Sequence, residues 1–299
     1  MVVGRQRSRW RRRFPGCVMD DEHYAVHAAH EDRHWWFLAR RRILVDIITQ
    51  LLAAEKQRPL VADIGCGTGA TVAALAGRFS AIGVDPSRAA IRLAREKYPE
   101  CEFLEGTAPA VLGERMADVR GIVMSDVLEH VPDDEALLRS VVEATTPGTW
   151  LVLTVPADMS LWSAHDEVLG HHRRYDAEAF AALWGSLPVS CRLLAPFNRR
   201  LEPIVRFVRR IRLPGFRAGA DGTDLAMPIG PMNRLLYRVF AGEGRGLLRS
   251  LKAGAGAVPG RGVSLIAVLR REAEAERGLA ARHARAHDVD AIVMKPTPR

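Results

Sequence analysis

One stretch limits the folds open to this chain: residues 60–87, LVADIGCGTGATVAALAGRFSAIGVDPS. Apolar Leu60, Val61, Ala62 and Ile64 run into Gly65, Gly67 and Gly69, after which Val72, Ala73, Leu75 and Ala76 recur at helical spacing. The order is therefore strand, turn, helix. A second strand, 81–84, closes on Asp85, twenty positions beyond Gly65 (85 − 65). Glycines let a backbone approach its ligand closely, and an acid at that distance accepts both hydroxyls of a ribose. Such a unit binds a nucleotide-like ligand.

Two details narrow the ligand. The glycines are spaced GxGxG, so the third is not where a pyrophosphate-binding helix needs it, and Asp63 stands two residues before the first. A carboxylate there repels a pyrophosphate but pairs, directly or through water, with the amino group of a methionine moiety. In these residues the chain resembles the class I S-adenosylmethionine-dependent methyltransferases, whose first motif takes this form and whose ribose acid sits where Asp85 does. The competing reading is a glycine turn in some other α/β domain. The resemblance implies S-adenosylmethionine as cofactor, held by Asp63, Gly65, Gly67, Gly69, Asp85 and Pro86. It also places Thr107 and Ala108 at the adenine edge, and Asp126 and Val127 between cofactor and substrate.

The rest of the chain supplies the frame. After Asp85, helices and strands alternate: helix 88–97, strand 101–104, a short helix near 109–112, strand 119–124, helix 133–144 and strand 149–155. Strands separated by such helices form a parallel sheet with right-handed crossovers and a ligand crevice at the strands' carboxyl ends. Residues 156–175 break the pattern as a polar, histidine-rich insertion; helix 177–184 and strand 189–194 resume it, and a second insertion spans 198–259. Strand 263–269 closes the sheet. The expected architecture is α/β, a Rossmann-like, doubly wound, seven-stranded sheet whose last strand the resemblance makes antiparallel. Residues 19–57 form an N-terminal lid of two helices, with the aromatic run of residues 34–41 between them, packed across the sheet's edge; residues 58–271 form the main domain, and 272–299 a C-terminal tail.

Composition sets the outer limits. With 299 residues, 48% of them apolar, the chain can bury one large core. No apolar run reaches the roughly 18 residues of a membrane helix, and the basic start lacks an apolar signal core, so a cytoplasmic protein is expected. Cys17, Cys66, Cys101 and Cys191 are scattered, which disfavours a disulfide framework or a zinc ribbon. The net charge of +8 is concentrated in Arg5–Arg13 and in 199–217. Residues 1–18 read as a basic, disordered tail or a translational extension ahead of Met19. No basic motif interleaved with aromatics is present, so nucleic acid is not an expected partner. Oligomeric state is left open.

Methyl transfer to a hydroxyl is an in-line displacement that needs positioning, desolvation and a base. The candidate bases are His130, His165, His171 and His172, of which His165, with Asp166 as its acid partner, is preferred. The run Leu161 to Tyr175, LWSAHDEVLGHHRRY, together with His34-Trp35-Trp36-Phe37 and Arg40-Arg41, resembles one bacterial methyltransferase subfamily. It points to Trp35, Trp36, Trp162, His171, Arg173, Arg174 and Tyr175 as the acceptor's surroundings. Asp126, Glu129 and His130 would share one face of a helical turn, the shape of a divalent metal site, yet the expectation is no metal. Residues 199–212 alternate apolar and arginine positions at helical spacing. They fit either peripheral contact with an anionic inner-membrane face presenting a glycolipid, or packing on the sheet with the arginines in water. The acceptor is expected to be a small molecule, sugar or glycolipid, methylated at oxygen. An amine acceptor, or cofactor binding without catalysis, are the alternatives.

Overall fold

The computed structural model describes residues 21–211 and 226–273. The expected basic tail and the C-terminal tail beyond residue 273 lie outside them, as does Cys17; Cys66, Cys101 and Cys191 are free thiols.

Eight strands form one sheet: β1 (Leu60–Ile64), β2 (Ser80–Asp85), β3 (Glu102–Glu105), β4 (Val119–Ser125), β5 (Trp150–Pro156), β6 (Val189–Phe197), β7 (Gly256–Ala257) and β8 (Ser264–Arg271), in the order β3-β2-β1-β4-β5-β8-β6-β7. β1 to β5 run parallel, and β8 is antiparallel between β5 and β6. The first seven positions in that order are the expected doubly wound sheet. β7 adds a two-residue edge strand pairing Leu193 and Leu194 of β6. Val61, Ala62, Ile122, Val123, Leu151 and Val152 are all fully buried, because strands covered on both faces need continuous apolar sequence. β1 pairs with both β2 and β4, so the chain reverses direction across the sheet there, and the crevice beyond the carboxyl ends of these strands is the natural ligand position.

The helices follow from apolar stripes and caps: α1 (Asp21–His30), α2 (Trp35–Leu51), α3 (Ala70–Ala76), α4 (Arg88–Lys97), α5 (Asp134–Ala144), α6 (Ala164–Leu169), α7 (Ala177–Ala182), α8 (Glu202–Ile211), α9 (Gly230–Ala241) and α10 (Gly244–Lys252). Ser87 caps α4 by accepting from the Ala90 amide at 3.2 Å, and Asp133 caps α5 by accepting from Ala136 at 3.0 Å. Each satisfies an amide that the first helical turn leaves open.

Two expectations about the lid are corrected. The aromatic run does not lie between two helices: His34 is the N-cap of α2 and Trp35 to Arg41 form its first turns. Nor does α2 lie on the sheet's edge. Its stripe Ile43, Leu44, Ile47 and Ile48 packs on one face, against Val61, Val123, Val152, Ile266 and Val268, with Phe240 of α9 and Leu247 of α10 beside it. Four adjacent, fully buried aliphatic side chains need a broad apolar surface, which a sheet edge lacks. Truncating Ile47 to Ala would cost about 2–5 kcal/mol by transfer and cavity terms together. The other face is covered by α5 and α7 through Leu138, Val141, Val142 and Phe180.

Candidate functional site

At the strands' carboxyl ends lies a cavity of about 310 Å³, within the usual range for small-molecule sites. Its floor is the turn after β1. Gly65 has φ 75°, and a Cβ there would stand 2.5 Å from the Val127 side chain, so only glycine lets the turn pass beneath the loop after β4. Asp85 ends β2 with its carboxylate accepting from the Gly67 amide at 2.9 Å and the Ser87 amide at 2.8 Å. Its burial raises its pKa against those two bonds. Asp63 sits behind the wall, 3% exposed, with its pKa lifted to about 7 by burial, opposed by Arg40 and reinforced by Asp85.

The cavity's second wall follows β4. Asp126 has φ 56°, rarely adopted by residues with side chains, and is locked by its amide donating to the Thr154 carbonyl at 2.9 Å while its carboxylate accepts from Thr154 Oγ1 at 3.1 Å. Arg40 of α2 reaches across to pair with this carboxylate and stacks 4.0 Å over the Trp36 ring. The lid is fastened to the floor as well, since Thr68 Oγ1 donates to Glu31 at 2.6 Å and Lys97 reaches the same carboxylate at 2.6 Å.

The third wall is the 156–175 insertion, which is ordered around α6. Ser163 and Asp166 form a capping box at its start. Asp166, fully buried, accepts from Arg174 Nε at 2.8 Å and Nη2 at 3.1 Å, and meets His171 Nδ1 at 2.8 Å. Burial pushes its carboxyl up, but His171 and Arg174 outweigh that and hold it well below the usual carboxylate range.

The cavity wall thus gathers Gly65, Gly67, Asp85, Pro86, Asp126, Val127, His130, His165, His171, Arg174, Trp35 and Trp36 from the sequence expectations. The remainder lie elsewhere. Gly69 has moved on to cap α3, Thr107 is exposed and Ala108 is buried in the core, so neither lines the cavity. Arg173 turns to Asp134 at 2.9 Å and the Pro132 carbonyl at 2.8 Å, Tyr175 donates to Asp134 at 2.5 Å, and Trp162 is outside the wall. Asp166 serves His171 and Arg174 rather than His165, because α6 directs it inward as the helix's capping acid. Arg174 is a brace for that acid, 6% exposed, as much as a wall residue. Asp126 leaves the anticipated face of Glu129 and His130: residues 128–130 form a single 3-10 turn, and Asp126 is engaged by Arg40.

Sequence reasoning missed Arg40, Glu31, Thr68 and Arg209 as parts of the site. Arg40 was visible four residues after Trp36, a spacing that stacks the two on one helical face. Glu31 carried no local signal, since its partners lie 37 and 66 residues away.

Residues 35–189 match a family described as a methyltransferase domain. The trans-aconitate 2-methyltransferase of Methylobacterium radiotolerans is 29% identical over 147 residues, covering 48% of this chain and 53% of the relative. The ubiquinone biosynthesis O-methyltransferase of Nitrosomonas europaea is 24% identical over 131 residues, 40% of this chain and 55% of the relative. The chain spans about half the length of the curated relatives it matches. Among solved structures, the methyltransferase chain in the complex with the Haloferax volcanii Trm112 activator superposes with a TM-score of 0.51 at 16% identity, over 85% of this chain and 96% of that one. The plantazolicin methyltransferase BpumL, solved with SAH, gives 0.50 at 14% identity over 79% and 85%. At such identities the likeness is one of fold.

Proposed function

Since the chain belongs to the methyltransferase-domain family, matched over residues 35–189, we propose that it transfers a methyl group from S-adenosylmethionine to an oxygen of a small acceptor. The observation that carries this reading is the convergence on one cavity of the Gly65–Gly67 turn, Asp85 and the strained Asp126. In it, Asp85 receives the ribose hydroxyls, while Asp63, buried behind the wall, answers the methionine ammonium through water. The glycine turn gives the sulfonium close access to the backbone. Trp35, Trp36 and Arg40 close over the donor, which excludes water and strengthens each polar contact within.

The acceptor sits between the lid and α6, where His130, His165 and His171 face the cavity. Oxygen attacks the methyl carbon as the carbon–sulfur bond breaks and its electron pair returns to sulfur. The acceptor's proton passes to His165, a half-buried imidazole on the first turn of α6, whereas the His171 ring is held by Asp166. An anionic or sugar-bearing acceptor suits the arginines at the rim, Arg209 among them. A lipid-linked acceptor is supported by α8, whose Ile204 and Phe207 are 59% and 62% exposed. Incubating the protein with methyl-labelled donor and a panel of carboxylate, phenol and sugar acceptors tests the reading. Label appearing on an acceptor oxygen with wild type and not with His165→Ala supports it; equal labelling by His165→Ala removes that residue as base.

A further inference from the structure

Glu129 is fully buried, and among the described residues neither of its carboxylate oxygens has a hydrogen-bond partner. An ionised carboxylate desolvated in this way costs several kcal/mol unless a cation or a proton answers it. Two imidazoles stand beside it. One ligating atom each from Glu129, His130 and His171 lies within 4.8 Å of the others, and the two rings meet edge to face with centroids 4.6 Å apart.

Each imidazole is already oriented for ligation. His130 Nδ1 is buried with no partner among the described residues, and the His130 ring is set edge to face against His171. The Asp166 carboxylate holds His171 Nδ1, so the Nε2 lone pair is turned outward. Asp166 is in turn fixed by the Arg174 fork. A carboxylate behind an imidazole, as Asp166 stands behind His171, is how proteins set the tautomer and raise the basicity of a metal-bound histidine.

We propose that Glu129, His130 and His171 form a binding site for one divalent transition-metal ion of the zinc class. Two imidazoles and a carboxylate are a zinc donor set that leaves positions open, whereas magnesium and calcium favour oxygen shells. All three residues line the cavity, so the open positions face the space assigned to the acceptor. There an acceptor oxygen can complete the shell and lose its proton more readily; this last step rests on the methyl-transfer reading above, whereas the ion site itself does not. The third ligand comes from α6's exit, 41 residues after His130 (171 − 130), and displaces Asp126 from the trio that sequence spacing suggests.

The test is calorimetric titration of Zn2+, and separately of Mg2+, into the chelator-treated full chain, with Co2+ absorption as a second readout. Neither uses donor or acceptor, so failure here leaves the methyl-transfer reading intact. Expected are one tight equivalent of Zn2+, a tetrahedral-type visible Co2+ spectrum, and at least a hundredfold weaker Zn2+ binding in Glu129→Gln and His171→Asn. His172→Ala, an exposed neighbour, should bind as wild type. Circular dichroism and thermal melting confirm that each variant is folded. No tight equivalent in wild type, wild-type affinity in folded Glu129→Gln and His171→Asn, or tighter binding of Mg2+ than Zn2+ overturns the proposal.

Discussion

Thr68 Oγ1 donates to Glu31 Oε2 across 2.6 Å, joining the turn that follows β1 to the end of α1. Lys97 on α4 holds the other oxygen of the same carboxylate at 2.6 Å. The N-terminal helical segment is therefore anchored to the turn that the proposed function assigns to the donor, and that reading predicts that donor binding and the order of this segment are coupled. Burial raises the Glu31 pKa, with Lys97 and Thr68 opposing, so each of those bonds compensates a desolvated group.

Removing one of them should loosen the lid first. Thr68→Val deletes a hydrogen bond to a buried acid, a loss of about 1.5–3 kcal/mol. Hydrogen exchange across residues 21–34 should accelerate by roughly tenfold or more, with the β4 and β5 amides unchanged. Donor affinity should fall severalfold. Unchanged exchange in 21–34 would show the lid to be held by other contacts.

Asp63 should set part of the pH dependence of stability. Its carboxyl titrates near 7 in the folded protein, against 3.8 ordinarily. The folded state then keeps a proton that the unfolded chain releases, so this stabilisation is complete below about pH 4 and is lost as pH rises toward 7. At about 1.4 kcal/mol for each tenfold change in proton affinity, its ceiling is roughly 4 kcal/mol. Asp63→Asn should accordingly raise Tm at pH 8 relative to wild type, shrink the fall in Tm between pH 5 and 8, and weaken donor binding. A thermal melt series in which the variant keeps the wild-type slope would refute this.

Arg174 should matter for folding before it matters for turnover. Its fork is 6% exposed and satisfies a fully buried Asp166, and deleting one partner of such a pair costs about 3–5 kcal/mol. Arg174→Ala should lower Tm by several degrees, and Arg174→Lys by less, since lysine keeps the charge but loses the fork. Denaturant titration measures both. By contrast Arg173→Ala, whose side chain is about a third exposed and tied to Asp134 and Pro132, should change stability by about 1 kcal/mol or less.

α8 separates the two readings of the basic amphipathic segment. Arg206 is engaged by Glu202 at 2.5 Å and Asp158 at 2.6 Å, while Ile204 and Phe207 remain exposed. Membrane contact through α8 predicts cosedimentation with anionic vesicles at low salt that Ile204→Ser/Phe207→Ser abolishes. Equal sedimentation of the two proteins would assign these residues to another role.

What the sequence disclosed follows what is local. The strand and turn of LVADIGCGTG, the stop at Asp85 and the alternation through Val155 are short-range signals of period and glycine placement, and the sheet has that form. The face on which α2 packs was not legible, because the surface that receives its stripe is assembled from β1, β4 and β5 together with β6, β8, α9 and α10, most of them far along the chain. The same limit applies in the site. Asp166 and His165 are neighbours in sequence, and adjacency suggested a pair; the helix turns them apart and delivers His171 to the acid instead. Arg40 and Asp126, 86 residues apart, met without any local sign.

Donor binding at the β2 acid decides the functional reading, and calorimetric titration of S-adenosylmethionine into wild type and Asp85→Ala measures it. Circular dichroism checks the fold of the variant, since Asp85 also holds the Gly67 and Ser87 amides. The expected result is one-to-one binding to wild type and at least a tenfold loss, about 1.4 kcal/mol or more, in the folded variant. Wild-type affinity in folded Asp85→Ala, or no binding of the donor to wild type, would contradict it.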